Sequence, residues 1–316
     1  MSTTNSLTTT YAGEFAKAYV SAALLTGNTI ASNGISVKTN IKYKEAVKKI
    51  ELDNILKDAT CDFTATSTLT QTERILTPEE LQVNLQFCKK DWHSDWVAME
   101  QGISAHDTMP KSFADYLLAH VAAKVASKIE TNVWSGVTAN AGEFDGFETI
   151  MTAQATQPAA QEIAGTTITA ANVIAQLRSA VDVVPTRLLG DPNLTIYVNP
   201  KTAKFYIQAL GGYTATIGAA GINDQGPTWY NNQALSLDGI PLFVANGMSD
   251  DTAIITTKDN LWFGTGLLND TNEVKVIDMS DIDGSQNVRI VMRMTGGCQI
   301  ANPEDVVTYG ITNGSN

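Results

Sequence analysis

Apolar residues fall at every fourth position from Phe113 through Leu117, Val121, Val125 and Ile129 to Val133, inside the stretch SFADYLLAHVAAKVASKIETNVWSG. That spacing predicts one long helix from Ser112 to Gly136. Ser112 is placed to cap its first turn, with Asp115 three residues on in a capping-box-like position that suits the positive end of the helix dipole. Gly136 can take the left-handed conformation that ends a helix. Each four-residue step overshoots a full turn by about 40°, so the apolar line winds around the helix and meets several neighbours along its length. Ala114, Ala119, Ala122, Ala123 and Ala126 keep it thin. At 1.5 Å per residue the helix spans about 35 Å.

Elsewhere the period shortens. Val37, Ile41 and Tyr43 alternate with polar residues, and Phe63, Ala65, Ser67 and Leu69 alternate with threonines. These predict the two arms of a long, polar, protruding hairpin, with KKIELDNILKDATCD between them. Leu81, Val83, Leu85 and Phe87 alternate with Gln82, Asn84 and Gln86, a half-buried strand. Short helices are expected over Tyr11–Leu25 and Asp91–Gly102.

Beyond the long helix, GEFDGFETIM is a glycine-punctuated return. Thr169 is expected to cap a helix carrying Val173, Ile174, Leu177 and Val181, which stops near Pro185. LTIYV reads as a buried strand. Asn199 and Pro200 then occupy the cap and first position of a helix holding Ala203, Phe205, Tyr206 and Leu210. Residues 214–226 are glycine-rich and without periodicity, which predicts a loop. Asp238-Gly239 suits a tight turn in the hairpin ALSLDGIPLFVAN. AIITT, LWFGTG, EVKVIDM and NVRIVMRMT are four further strand candidates, and the last segment, EDVVTYGIT, is another. One group of elements, 35–135 with 270–310, thus brackets an inserted helix–strand–helix unit near 165–255.

Composition narrows the function classes. The 316 residues are 43% hydrophobic, enough for a sizeable core, and the formal charge of -12 argues against a dedicated nucleic-acid binder, which would show a basic face. Cys61, Cys88 and Cys298 have no paired spacing and read as buried, reduced thiols of a protein made in the cytoplasm. Glu14 and Lys17 interrupt the N-terminal apolar stretch, so no signal peptide is expected, and no apolar run is long enough to span a bilayer.

The sequence offers no catalytic, cofactor-binding or metal-ligating residue. His93, His106 and His120 lack metal-pair spacing. There is no GxSxG elbow and no phosphate loop, and the glycines at Gly218 and Gly221 lack a strand–turn–helix setting. Asp278, Asp281 and Asp283 with Gly284 invite a calcium reading, but the register of a calcium loop is absent; an acidic turn between strands is expected. Glu79 and Glu80 are adjacent in a strand and point to opposite faces, which suits a solvated edge better than a proton-sharing pair.

The order of elements resembles the major capsid proteins of tailed double-stranded DNA phages, with the Hong Kong 97 type fold. The resemblance runs through the LQVNLQFCKKDW strand, the Ala-rich spine helix, the FDGF turn, the TIYVNPKTAKFYIQALGG unit, LDGIPLFVANGM, KDNLWFGTG and the NVRIVMRMTGGCQIANPEDVV tail. It implies an α+β chain with an N-terminal arm at 1–35, an extended hairpin loop at 36–75, a peripheral domain at 76–164 and 256–316 around a spine helix at about 112–135, and an axial domain at 165–255. In that family the hairpin lies across a neighbouring subunit. The implied function is self-assembly as hexamers and pentamers into an icosahedral shell around double-stranded DNA, made in the host bacterial cytoplasm, without sequence-specific DNA binding and without a membrane. Scaffolding, portal and decoration proteins are the implied partners. No charged helical pro-region stands at the N-terminus, which points to a separate scaffold or none. Lys42, Lys44, Lys48 and Lys49 have no motif for the lysine–asparagine cross-link of some relatives. An encapsulin-type compartment shell is the alternative, and an enzyme with an unrecognised site a third reading.

Overall fold

The computed structural model describes residues 28–30, 32, 34–41, 43–52, 55–59, 61, 65, 68–88, 111–153, 156–210, 235–266 and 274–313. The helices expected at Tyr11–Leu25 and Asp91–Gly102, the loop at 214–226, and His93 and His106 lie outside the described residues.

The long helix is present as α1 (Lys111–Ser135). It begins one residue before Ser112, which therefore lies within it; side chains before His120, including the expected cap pair, lie outside the description. Val121 and Val125 pack on one face of a sheet against Ile290, Met292 and Met294. Further along, Val133 and Trp134 belong to a different core with Phe144, Phe147, Tyr197 and Ile254. The winding apolar line thus serves two partners in succession.

The helix ends differently from expectation. Gly136 does not have a positive φ. Its amide donates to the Asn132 carbonyl at 3.1 Å, continuing the helical pattern, and its own carbonyl accepts from Gly146 at 2.9 Å. A Cβ here would strike the Phe144 carbonyl and the Asn132 backbone. Glycine is needed for close approach of the returning chain, and not for a left-handed turn. That return seats Phe144 and then α2 (Phe147–Thr152) beside the helix. Trp134 meets the Phe147 ring edge-on at 5.4 Å and Tyr197 at 5.3 Å.

Two sheets and a separate ribbon make up the β structure. The first contains β1 (Ser36–Lys38), β4 (Glu79–Cys88), β10 (Leu261–Gly264), β11 (Val274–Asp278) and β12 (Asn287–Ile300). β12 is its axis, pairing antiparallel with β4, β10 and β11. Its buried residues alternate from Val288 to Met294, and these line the face that receives α1. The half-buried strand expected at Leu81–Phe87 is β4.

The second sheet runs in the order β5 (Glu162–Ile163), β13 (Val307–Tyr309), β9 (Ala253–Thr257), β6 (Leu194–Val198), β8 (Ile240–Val244) and β7 (Ser236–Leu237). α3 (Val173–Asp182) and α4 (Pro200–Leu210) pack on it through Val173, Leu177, Ala203 and Tyr206. Leu210, at the end of α4, is exposed. β6 is buried throughout, as its uninterrupted apolar run requires. Asn199 caps α4 by accepting from the Lys201 amide at 2.7 Å. Asp238 and Gly239 both have positive φ, as expected of a two-residue hairpin turn. Thr169 is not a side-chain cap: its amide donates to Asn172 Oδ1 at 2.7 Å, and its carbonyl accepts from Val173. β13, grouped with the spine by the sequence reading, pairs instead with β9 in this second sheet.

The ribbon is β2 (Glu45–Leu52) paired antiparallel with β3 (Leu69–Leu76). This shifts the expected hairpin along the chain. KKIEL is an arm and not the connection, and Val37 lies in β1, parallel to β10. Ile41 and Leu76 cover Gly264, so the ribbon's base is rooted in the first sheet.

Candidate functional site

None of the polar groups weighed from the sequence forms a reaction centre among the described residues. His120 is half-buried on α1 and already engaged. Asp278 accepts from the Ser280 amide at 3.0 Å and its hydroxyl at 2.7 Å, just before the short helix α5 (Ser280–Asp283) at the expected acidic turn, which Gly284 closes with positive φ. Glu79 and Glu80 are exposed, opposite Gly296 and Thr295. No group of three or more His, Cys, Asp or Glu among the described residues is arranged to hold a metal ion. No helix among them is long and apolar enough to cross a membrane. Of the cysteines expected to be buried, Cys61 is exposed; the Cys298 thiol lies 3.7 Å from the Val133 carbonyl, and burial pushes it well up.

The ribbon is the surface that stands out. In an antiparallel pair, directly opposed residues share a face. Ala46, Lys48, Ile50 and Leu52 therefore lie with Ile75, Glu73, Gln71 and Leu69, and all eight are exposed. Ile50 is 62% exposed, Leu69 60%, Leu52 53% and Ile75 45%. Ile55 and Leu56, in the segment joining the arms, are also exposed. The ribbon is a two-stranded sheet of its own, and its outer face is not simply polar as expected. Covering one such side chain fully stabilises by about 1.5–3 kcal/mol. A two-stranded ribbon is marginal without a packed face, so this face has much to gain from a partner.

The opposite face is tied to the body by polar contacts. Lys49 Nζ reaches Glu304 Oε2 at 2.8 Å and also pairs with Glu51. Burial alone would lower the Lys49 ammonium, but its bonds to Glu304 and Glu51 outweigh that and raise it. Arg74 donates to Gln299 Oε1 at 2.9 Å, and Gln299 Nε2 donates to the Ile75 carbonyl at 2.8 Å. The apolar signal was present in the sequence at Ala46, Ile50 and Leu52, but Lys48 on the same face and the charges at Lys49 and Glu51 between them disguised it.

Two buried carboxylates were not anticipated. Glu130 on α1 accepts from the Thr29 amide at 3.2 Å and from the Thr29 hydroxyl, while Trp134 Nε1 donates to that hydroxyl at 2.8 Å. Glu148 on α2 accepts from the Ser249 amide at 2.8 Å, the Ser249 hydroxyl, and Thr252 Oγ1 at 3.1 Å. Burial raises both carboxyls above their ordinary range, and the hydrogen bonds offset it only in part. Both hold the β8–β9 connection. Asn28 joins them, donating from Nδ2 to the Val244 carbonyl at 2.5 Å. These groups fix the frame that carries the ribbon; a glutamate in a helix or turn has no local signal that distinguishes this role.

No protein-family model matches the chain, and no curated protein matches it in sequence. Solved structures do match. The capsid of a native GTA particle aligns over 92% of each chain with a TM-score of 0.64 and 14% identity. The capsid of cyanophage A-1(L) aligns over 95% of this chain and 96% of its own, with a TM-score of 0.60 and 13% identity. That of cyanophage P-SCSP1u aligns over 96% and 94%, with a TM-score of 0.58 and 13% identity. The chain has the fold of phage capsid proteins.

Proposed function

We propose that this chain is the major capsid protein of a tailed double-stranded DNA phage, built on the Hong Kong 97 type fold. Copies associate as hexamers and pentamers into an icosahedral shell that encloses the genome, assembled in the host bacterial cytoplasm. Its role is structural and not catalytic. The observation that carries this reading is the ribbon: an element outside both sheets with an uncovered apolar face, on a chain whose fold matches capsid proteins over 92% of its length. The ribbon within 36–75 would lie across a neighbouring subunit and bury that face. The arm would be 1–35, the peripheral domain 76–164 and 256–316, and the axial domain 165–255, with β13 of the C-terminal part crossing to the second sheet. A net charge of -12 suits a container, since counterions screen packaged phosphates and the wall need not grip them. Scaffolding, portal and decoration proteins would be its other partners.

The test is expression of the chain, alone and with the neighbouring genes of its locus, followed by electron microscopy. Closed shells are the expected result. A chain that stays monomeric under every assembly condition, with and without a scaffold, would overturn the proposal.

A further inference from the structure

The ribbon's outer face is uncovered, whereas its inner face is held by a small set of polar contacts. The central one is Lys49 to Glu304. Glu304 belongs to a single 3-10 turn, Pro303–Asp305, that follows β12. The same turn is gripped from its other side. Arg187, in the turns after α3, donates from Nε to Asp305 Oδ1 at 2.9 Å, from Nη2 to that oxygen at 2.5 Å, and from Nη2 to the Glu304 carbonyl at 3.2 Å. Asn302 closes the turn internally by donating to Asp305 Oδ2 at 2.5 Å. Three regions of the chain therefore converge on three residues: the ribbon, the end of β12, and the segment leading into the second sheet.

We propose that Pro303–Asp305 is a releasable clasp that sets the angle of the ribbon on its own subunit. Arg187 holds the turn in place, and Lys49 is the arm that lets go. The ion pair is partly exposed, and pairs of that kind are weak and screened by salt. Such a contact can orient an isolated ribbon and still yield when the apolar outer face finds cover. A buried apolar latch in the same place would oppose that exchange. The clasp is a property of the single chain; only what the freed ribbon engages rests on the capsid reading.

The experiment is hydrogen–deuterium exchange on the unassembled full-length chain, followed peptide by peptide. Lys49→Gln and Glu304→Gln should each speed exchange across 45–52 and 69–76 by up to about fivefold, the factor that loss of one partly exposed pair allows. Exchange in β6 and β9 should not change. Lys48→Gln removes the same charge one residue away on the outer face, where Lys48 is exposed and lies opposite Glu73, and should speed the ribbon's exchange less than Lys49→Gln does. The charge swap, Lys49→Glu with Glu304→Lys, should restore the slow rate. Salt should speed the parent's exchange in the ribbon and have little effect on Lys49→Gln. Equal responses from Lys48→Gln and Lys49→Gln, or a swap that fails to restore protection in a chain that still folds, would overturn the clasp. Neither outcome depends on whether shells form, so a failure here is distinct from a failure of the proposed function.

Discussion

Thr29 and Glu130 are 101 residues apart in the chain, yet the Thr29 amide and hydroxyl both donate to the Glu130 carboxylate. Trp134, one turn along α1, donates to the same hydroxyl. The segment at Thr29 is thereby fixed to the spine through one buried hydroxyl that accepts from the indole and donates to the carboxylate. Thr29→Ala removes that relay and leaves an indole N–H and a carboxylate short of partners. It should destabilise by about 1–3 kcal/mol, measured by denaturant unfolding of the unassembled chain. Thr29→Ser should recover most of the loss.

The same region predicts a pH dependence. Burial raises the carboxyls of Glu130 and Glu148, so the folded state holds their protons more tightly than the unfolded chain does. Their contribution is therefore fully present below the ordinary carboxylate value of 4.5 and is lost as pH rises through the raised values. Glu148→Gln keeps an oxygen for the Ser249 amide and Thr252, and its amide group can donate to the Ser249 hydroxyl. The variant should be as stable as the parent or more so at neutral pH, with a flatter stability profile above pH ~4.5. Thermal melts across that range check it; a steeper profile in Glu148→Gln would contradict the assignment.

Close packing between α1 and the β8–β9 connection makes Gly247 sensitive to size. A Cβ there would run into the Glu130 carbonyl and the backbone at Thr131. Because the obstacle is helix backbone, it cannot swing aside as a side-chain tip would. Gly247→Ala should cost about 1–3 kcal/mol or more. Gly190→Ala, where a Cβ meets nothing within 4 Å, is the matched control and should stay within about 0.5 kcal/mol of the parent.

The ribbon's outer face predicts a separation of folding from assembly. Ile50→Asp and Leu69→Asp alter exposed positions, so the single chain should change in stability by no more than about 0.5 kcal/mol. Each removes an apolar group worth about 1.5–3 kcal/mol once covered, which corresponds to an assembly constant lower by about tenfold or more per contact. Replacing 47–74 by a two-residue turn should leave a folded chain that forms no shells, since Ala46 and Ile75 are already opposed. Light scattering and electron microscopy read the assembly, and circular dichroism the fold. Normal shells from that deletion would remove the ribbon from the assembly mechanism.

Much of the fold was legible in local patterns. The four-residue recurrence in 113–133 marked α1, and its winding foretold the succession of Val125 against β12 and Val133 beside Trp134. Asn199 with Pro200 and Asp238 with Gly239 set a helix start and a turn through their own backbone preferences. These signals act over a few residues, so the sequence alone carries them. The order of strands and helices also sufficed to suggest the capsid fold.

What only tertiary structure decided depends on residues far apart in the chain. Whether KKIEL was strand or connection turned on its pairing with Leu69–Leu76, since alternating charges and apolar groups suit either a solvated turn or an uncovered ribbon face. Gly136 was read as a left-handed stop because glycine commonly serves that purpose; its actual demand, room for the Phe144 backbone, comes from the returning chain. β13 joined the second sheet because β9 offered it an edge, which no local period records. Glu130 and Glu148 look like ordinary surface glutamates until folding brings Thr29, Ser249 and Thr252 to them. Backbone conformation is chosen over a few neighbouring residues, but burial and partner are assigned by the whole chain, and the clasp, the carboxylates and the ribbon's uncovered face all belong to that second kind.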